Sequence, residues 1–306
     1  MSNLNDAVAA QARLDGRKLV ASVSGGKDSA ALSLWLTEVG LEHERVFLDT
    51  GWESEKTYAY LDELEEAIGP IIRLKAERTM AELCLHKGMF PSRVRRFCTQ
   101  ELKVKPMIAY IAKRVDEGED LVNAVGIRHE ESAARAKMPE WEWSDGFDCE
   151  TWRPLIEWSE EDVIAIHTRH GLRPNPLYLE GASRVGCWPC IFARKAEIRH
   201  IADSDPERIN FIRDLEKQVQ AKAAARYAEK GETFESLGYT KPTWFQAPLR
   251  KRDANGKTIR TGECWPIDRV VGWSRTTRGG KQLELFEAGP SEAGCVRWGL
   301  CDTIGS

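Results

Sequence analysis

Ser24-Gly25-Gly26-Lys27-Asp28-Ser29 stands between the apolar run Lys18 to Val23 and the amphipathic stretch Ser29 to Val39. Glycines there let the backbone turn its N–H groups toward an anion, a helix N-terminus adds partial positive charge, and Lys27 offsets phosphate oxygens. Ser24 and Ser29 can each donate a hydroxyl hydrogen. The spacing is not the Walker A pattern, because Asp28 separates Lys27 from Ser29 and Ala21 stands where the first glycine belongs. A Gly-Gly turn ahead of a helix is the plain alternative. Phe47-Leu48-Asp49-Thr50-Gly51 closes a second apolar run, so Asp49 is expected at the same edge, where it could meet a nucleotide or its magnesium.

Cysteines form the second constellation: Cys98 in Arg95-Arg96-Phe97-Cys98, and Cys187 with Cys190 in Cys187-Trp188-Pro189-Cys190. Two thiolates at C-x-x-C spacing can hold one soft metal through a tight turn, with a redox dithiol or a packed pair as alternatives. Zinc held for stability fits as well. Arg93, Arg95, Arg96, Lys103 and Lys105 surround Cys98 with Glu101 the only acid, an arrangement expected to attract an anion and to lower the thiol pKa. Cys84 and Cys149 read as core or surface thiols, and His167 with His170 as surface or capping residues.

Positioning these groups requires a sheet. Short apolar runs (Lys18 to Val23, Arg45 to Leu48, Ile71 to Leu74, Leu121 to Val125) alternate with amphipathic stretches, the rhythm of a doubly wound parallel α/β domain with ligands at its strand C-termini. Beyond Trp152 the pattern turns helical: Ser159 to Asp162 reads as a capping box, and Asp205-Pro206-Glu207 opens a helix reaching about Lys230. Residues 231–306 read as mostly irregular. The expected division is a nucleotide-binding domain over 1–155, a helical region carrying the C-x-x-C over 156–230, and a basic, Trp-rich extension over 231–306.

Composition is ordinary for a soluble globular protein and excludes disordered, fibrous and spanning chains: 306 residues, 42% hydrophobic, 30% charged, and no apolar stretch near the roughly 20 residues a bilayer needs. The expectation is a cytoplasmic protein that does not enter a membrane, its eight cysteines mostly reduced. Net charge is −4, yet Tyr239 to Lys281 carries ten Lys/Arg against three acids, interleaved with Trp244, Trp265 and Trp273. Such a segment suits a nucleic acid, with phosphates on the cations and bases on the rings, a solvated charged surface over a small aromatic core being the plain alternative.

The hexapeptide resembles the loop of PP-loop ATP pyrophosphatases. The Asp49-Thr50-Gly51 segment, Gly126-Ile127-Arg128-His129-Glu130-Glu131-Ser132-Ala133-Ala134-Arg135, Trp152-Arg153-Pro154-Leu155 and Asn175-Pro176-Leu177-Tyr178 resemble landmarks of the phosphoadenylyl-sulfate (PAPS) reductase family. Cys98 followed by Cys187 and Cys190 is similar to the cluster-binding pattern of iron–sulfur adenylyl-sulfate (APS) reductases. The resemblance covers residues 17 to 202. It implies an adenine nucleotide alpha hydrolase-like fold, ATP and Mg²⁺ as ligands, and a triphosphate held by Ser24 through Ser29 with Asp49, Gly126 and Arg128. Lys27, Asp28 and Asp49 take the catalytic roles, and Arg96, Lys103 and Arg135 a substrate anion. A 4Fe–4S cluster would sit on Cys98, Cys187 and Cys190, with Cys301, or else Cys295 or Cys264, as fourth ligand or with no fourth thiolate at all, and Zn²⁺ as the alternative metal.

Three departures from the family matter. Phe97 replaces the first of two adjacent cysteines, the C-terminal Glu-Cys-Gly-(Leu/Ile)-His nucleophile is missing, and the loop keeps Lys27 and Asp28, which reductases lose. These point away from sulfate reduction toward adenylation of an acceptor, a nucleic acid or a small molecule, coupled to sulfur transfer from a donor protein. The DNA phosphorothioation and tRNA thiolation ATPases share that logic. Rival readings are a sulfonucleotide reductase and a non-catalytic accessory of a defence or CRISPR module.

Overall fold

The computed structural model describes residues 4–252, 256–277 and 298. By its contacts the chain divides into two interleaved units. The first takes in the described residues up to Ala76, then Glu101–Cys187 and Trp298, and the second Glu77–Gln100 with the described residues from Trp188 to Thr277. The linear reading instead set its boundaries after 155 and 230.

The first unit is built on a six-stranded sheet of order β3-β2-β1-β4-β6-β5: β1 (Lys18–Val23), β2 (His43–Asp49), β3 (Ile71–Lys75), β4 (Leu121–Val125), β5 (Trp141–Ser144) and β6 (Cys149–Trp152). All pairs are parallel except β5 with β6. Alternation along β1 sends its side chains to two cores. Leu19, Ala21 and Val23 join Leu32 and Leu36 of the Lys27–Glu38 helix and Leu61 and Leu64 of the Glu55–Ile68 helix, whereas Val20 packs with Met107 and Ile111 of the Lys105–Asp116 helix. Burying each such aliphatic side chain contributes about 1.5–3 kcal/mol. A doubly wound α/β fold is therefore present, with an antiparallel edge strand added.

Elements beyond β4 depart from expectation in detail. The Ser159 capping box forms, its hydroxyl accepting from the Asp162 N–H ahead of the Glu160–Arg169 helix. β5 and β6 were not anticipated. In the second unit the long helix runs Pro206–Ala228, but a further helix, Lys195–Ser204, precedes it, and the stretch read as irregular contains the hairpin β7 (Pro248–Arg252) and β8 (Thr258–Cys264) and the helix Ile267–Ser274. No helix among the described residues is long and apolar enough to cross a membrane.

Candidate functional site: a phosphate loop at the end of β1

β1 ends at Val23, and the chain turns through Ser24 to Gly26 into the Lys27–Glu38 helix. Gly25 takes the left-handed φ of 71°, and a Cβ there would meet Thr57 Cγ2 at 2.9 Å, so the turn requires glycine twice over. Gly26, at the N-cap, has no side chain with which to cap the helix. Ser29 locks the turn: its hydroxyl donates to Gly26 O at 2.9 Å and accepts from Ser24 N–H at 3.0 Å, with Ser24 Oγ at 3.1 Å.

Residues from distant segments fix the loop's backbone. Asn175 Nδ2 donates to Gly25 O at 3.1 Å, Tyr178 OH accepts from Lys27 N–H at 3.3 Å, and His167 Nε2 lies 2.9 Å from Lys27 O. His167 is thus an interior residue against the loop rather than a surface or capping group, and burial pushes its pKa down, so the neutral ring donates to that carbonyl. His170 does lie at the surface, on Glu38. Trp298 packs edge-on against His167 with ring centroids 5.2 Å apart. Gly126, just past β4, lies so close that a Cβ would stand 2.6 Å from Asp28 O.

Charge is concentrated at the helix start. Lys27 Nζ lies 2.8 Å from Asp28 Oδ2 and 3.3 Å from Glu160 Oε1, while Asp28 Oδ1 accepts from Arg128 Nε at 2.6 Å. Burial pushes the Lys27 pKa down, and Asp28 only partly restores it. Arg128, also buried, is further held by Glu130 and by the Trp158 carbonyl. Asp49 closes β2 as expected. Burial works to raise its carboxyl, but the Tyr58 hydroxyl at 2.7 Å, the Gly51 N–H at 2.9 Å and Lys75 together hold it below the usual range.

Ser24 through Ser29, Gly126 and Arg128 are therefore gathered around one loop, with Glu160, His167, Asn175 and Tyr178 added to what sequence reasoning placed there. Of the expected anion set, Arg135 pairs with Glu131 and lies, like Lys103, in the unit that holds the loop, whereas Arg96 belongs to the second unit.

The cysteine expectations fare differently. Cys98 and Cys190 both belong to the second unit, and burial, with Cys190 nearby, pushes the Cys98 thiol up, contrary to the expected lowering; Arg96 is too exposed to offset it. Cys84 and Cys149 are both buried. Among the described residues no three His, Cys, Asp or Glu side chains are grouped as a metal site, and Cys187 belongs to the first unit while Cys98 and Cys190 belong to the second. Cys301 and Cys295 lie outside the described residues. Of the 239–281 segment, Trp244 is fully buried against Phe90, and Arg275 pairs with Asp203 at the surface.

A mostly parallel sheet with a glycine-lysine loop on its first strand, braced from the adjacent strand β4, is a doubly wound α/β arrangement of the kind that binds ligands at the C-terminal ends of its strands. Residues 18–193 match the phosphoadenosine phosphosulfate reductase domain, and the chain belongs to that family, a class of nucleotide-using enzymes. It is 33% identical over 338 residues to an uncharacterised 37.8 kDa protein in the gpa 5' region of Escherichia phage 186, covering 92% of this chain and 96% of that one. It is also 33% identical over 147 residues to an adenosine 5'-phosphosulfate reductase of Streptomyces coelicolor, covering 47% of this chain and 60% of that enzyme. Among solved structures it is similar to a phosphoadenylyl-sulfate reductase from Candida auris in a phosphate complex, at 18% identity and a TM-score of 0.46, covering 61% of this chain and 88% of that one.

Proposed function

We propose that the chain is an ATP pyrophosphatase that adenylates an acceptor, releasing pyrophosphate, and that sulfur from a donor protein then displaces AMP from the activated acceptor. The observation that supports this most is the buried Lys27 at the start of the Lys27–Glu38 helix, ion-paired with Asp28, in a turn stripped of side chains by Gly25 and Gly26. A reductase whose substrate already carries its adenylate has no β,γ-phosphates for such a group to hold.

In this reading the N–H groups of Gly25 and Gly26, with the Lys27 ammonium, receive the triphosphate. The acceptor oxygen attacks the α-phosphorus, the bond from that phosphorus to the bridging oxygen breaks, and Lys27 offsets the charge gathering on the departing pyrophosphate. Arg128 holds Asp28 in place. Magnesium chemistry suits the carboxylates present: the ion binds one or two carboxylates plus substrate phosphates, and Asp28 and Asp49 could supply the protein oxygens while the ion neutralises phosphate charge. No step is drawn through an iron–sulfur cluster. Nucleic acid is the favoured acceptor class.

Calorimetric titration with ATP and with APS, each with Mg²⁺, separates this reading from the reductase. ATP binding more tightly than APS, with the advantage lost in Lys27→Ala, is expected. APS binding more tightly, indifferent to Lys27, would overturn it.

A further inference from the structure

Phe192 carries two guanidinium groups on its ring, those of Arg93 at 5.7 Å and Arg96 at 5.3 Å. From His86 to Gln100 the chain has Lys87, Arg93, Arg95 and Arg96 and no acidic residue. Among the described residues, no carboxylate pairs with Arg93, Arg95 or Arg96, and all three are exposed. The turn presenting them is fixed, with Ser92 N–H donating to Arg95 O at 3.1 Å and Ser92 Oγ accepting from Arg95 N–H at 3.0 Å.

Beside this turn the second unit has a cavity of about 500 Å³ lined by Gly88, Phe90, Val94, Arg95, Tyr227 and Tyr239, among others, with no Asp or Glu in its wall. Its wall is held by Gln246, whose Nε2 donates to Phe90 O at 2.6 Å and Pro91 O at 3.1 Å. Tyr239 is 56% exposed and Val94 92% exposed, so aromatic and apolar surface faces water beside unpaired cations. Tyr227 backs Tyr239 at 6.0 Å between ring centroids and is itself braced edge-on by Phe234 at 5.2 Å.

We propose that this face of the second unit binds single-stranded nucleic acid, with one base in the cavity against Tyr239 and the flanking phosphates on Arg93, Arg95 and Arg96. An acidic peptide would satisfy the arginines but leave the tyrosine faces wet. A duplex offers phosphates, yet keeps its bases stacked inside and unable to enter the cavity. This face does not draw on Trp244 or Arg275, which the fold engages elsewhere. The inference deepens the acceptor side of the adenylation reading and rests on it for its purpose, while its test leaves ATP out, so that a failure here is distinguishable from a failure of the phosphate loop.

Fluorescence anisotropy of the full chain with a labelled mixed-sequence oligonucleotide, single-stranded or annealed, tests it. Single strands are expected to bind more tightly than the duplex, Tyr239→Ala to weaken binding by about tenfold or more, and Tyr239→Phe to preserve it, since stacking needs the ring and not the hydroxyl. Arg95→Ala should lower the slope of log affinity against log salt by about 0.7, one single-strand phosphate contact. Circular dichroism melts of the variants should match the parent. No binding, equal affinity for duplex, displacement by AMP as readily as by the strand, or indifference to both Tyr239→Ala and Arg95→Ala would overturn the proposal.

Discussion

Gly126 shows how a single missing side chain sets the loop. An added Cβ would stand 2.6 Å from Asp28 O and 2.9 Å from Asp28 C, both backbone atoms, so Gly126→Ala must push the first turn of the Lys27–Glu38 helix away from β4. Overpacking of this kind costs about 1–3 kcal/mol. Urea unfolding should register that loss, and ATP affinity should drop by about tenfold, the equivalent of 1.4 kcal/mol. A variant with parental affinity would show that the close approach is unrelated to binding. His43 carries a pH signature. Burial, with Arg45 beside it, pushes its pKa down to about 4, with Ser33 Oγ 2.8 Å from Nε2. Below about pH 6.5 the unfolded chain takes up a proton that the folded ring refuses, so stability falls as pH drops from there toward about 4, and His43 contributes no pH dependence above that window. Denaturation midpoints across it should fall more steeply for the parent than for His43→Gln; equal slopes would contradict the assignment. At this scale the loop residues were legible because glycine, lysine and serine carry phosphate chemistry in their types. His167, Asn175 and Tyr178 were not, because they act on main-chain atoms of Gly25 and Lys27 that no motif records.

Elements announced themselves when burial was continuous. β1 and β4 lie inside the sheet with near-unbroken apolar runs, as parallel strands covered on both faces do. β5 and β6 are four residues each, mix Trp with Glu, Ser and Thr, and lie at one side of the sheet, so neither alternation nor a long apolar run marks them. The Lys195–Ser204 helix starts from Arg194, whose N–H donates to Glu197, in place of the Ser, Thr, Asp or Asn that signals a start. β7 is rich in Arg and Lys, β8 has Ile259 as its one large aliphatic residue, and neither shows an apolar alternation. Glu216, on the Pro206–Ala228 helix, ties the later segments down by accepting from Trp244 N–H at 2.9 Å and Ile267 N–H at 3.1 Å, and burial raises its carboxyl pKa. Glu216→Ala leaves both donors unsatisfied at about 1–3 kcal/mol each. Thermal unfolding should rank the parent above Glu216→Gln, which retains one uncharged acceptor, and that above Glu216→Ala; an alanine variant as stable as the parent would refute the role.

Across the whole molecule, the loop is assembled from segments far apart in the chain. Asp28 contacts Arg128, Lys27 contacts Glu160 and His167, and Gly25 contacts Asn175, so the site needs residues on both sides of position 155. A linear reading could not see this, because sequence windows report local periodicity and not the return of the Glu160–Arg169 helix against the Lys27–Glu38 helix. A fragment of residues 1–155 is expected to unfold without a cooperative transition and to bind no ATP, as followed by tryptophan fluorescence; a cooperative, ATP-binding fragment would show that the later segments are dispensable.

The proposed reaction breaks ATP between its α- and β-phosphates at the Ser24–Ser29 loop. Phosphorus NMR of ATP incubated with the full chain, Mg²⁺ and single-stranded nucleic acid follows it directly. Pyrophosphate should accumulate with adenylate or AMP, and Lys27→Ala should abolish its release. Accumulation of ADP and inorganic phosphate, or pyrophosphate release that survives Lys27→Ala, would contradict it.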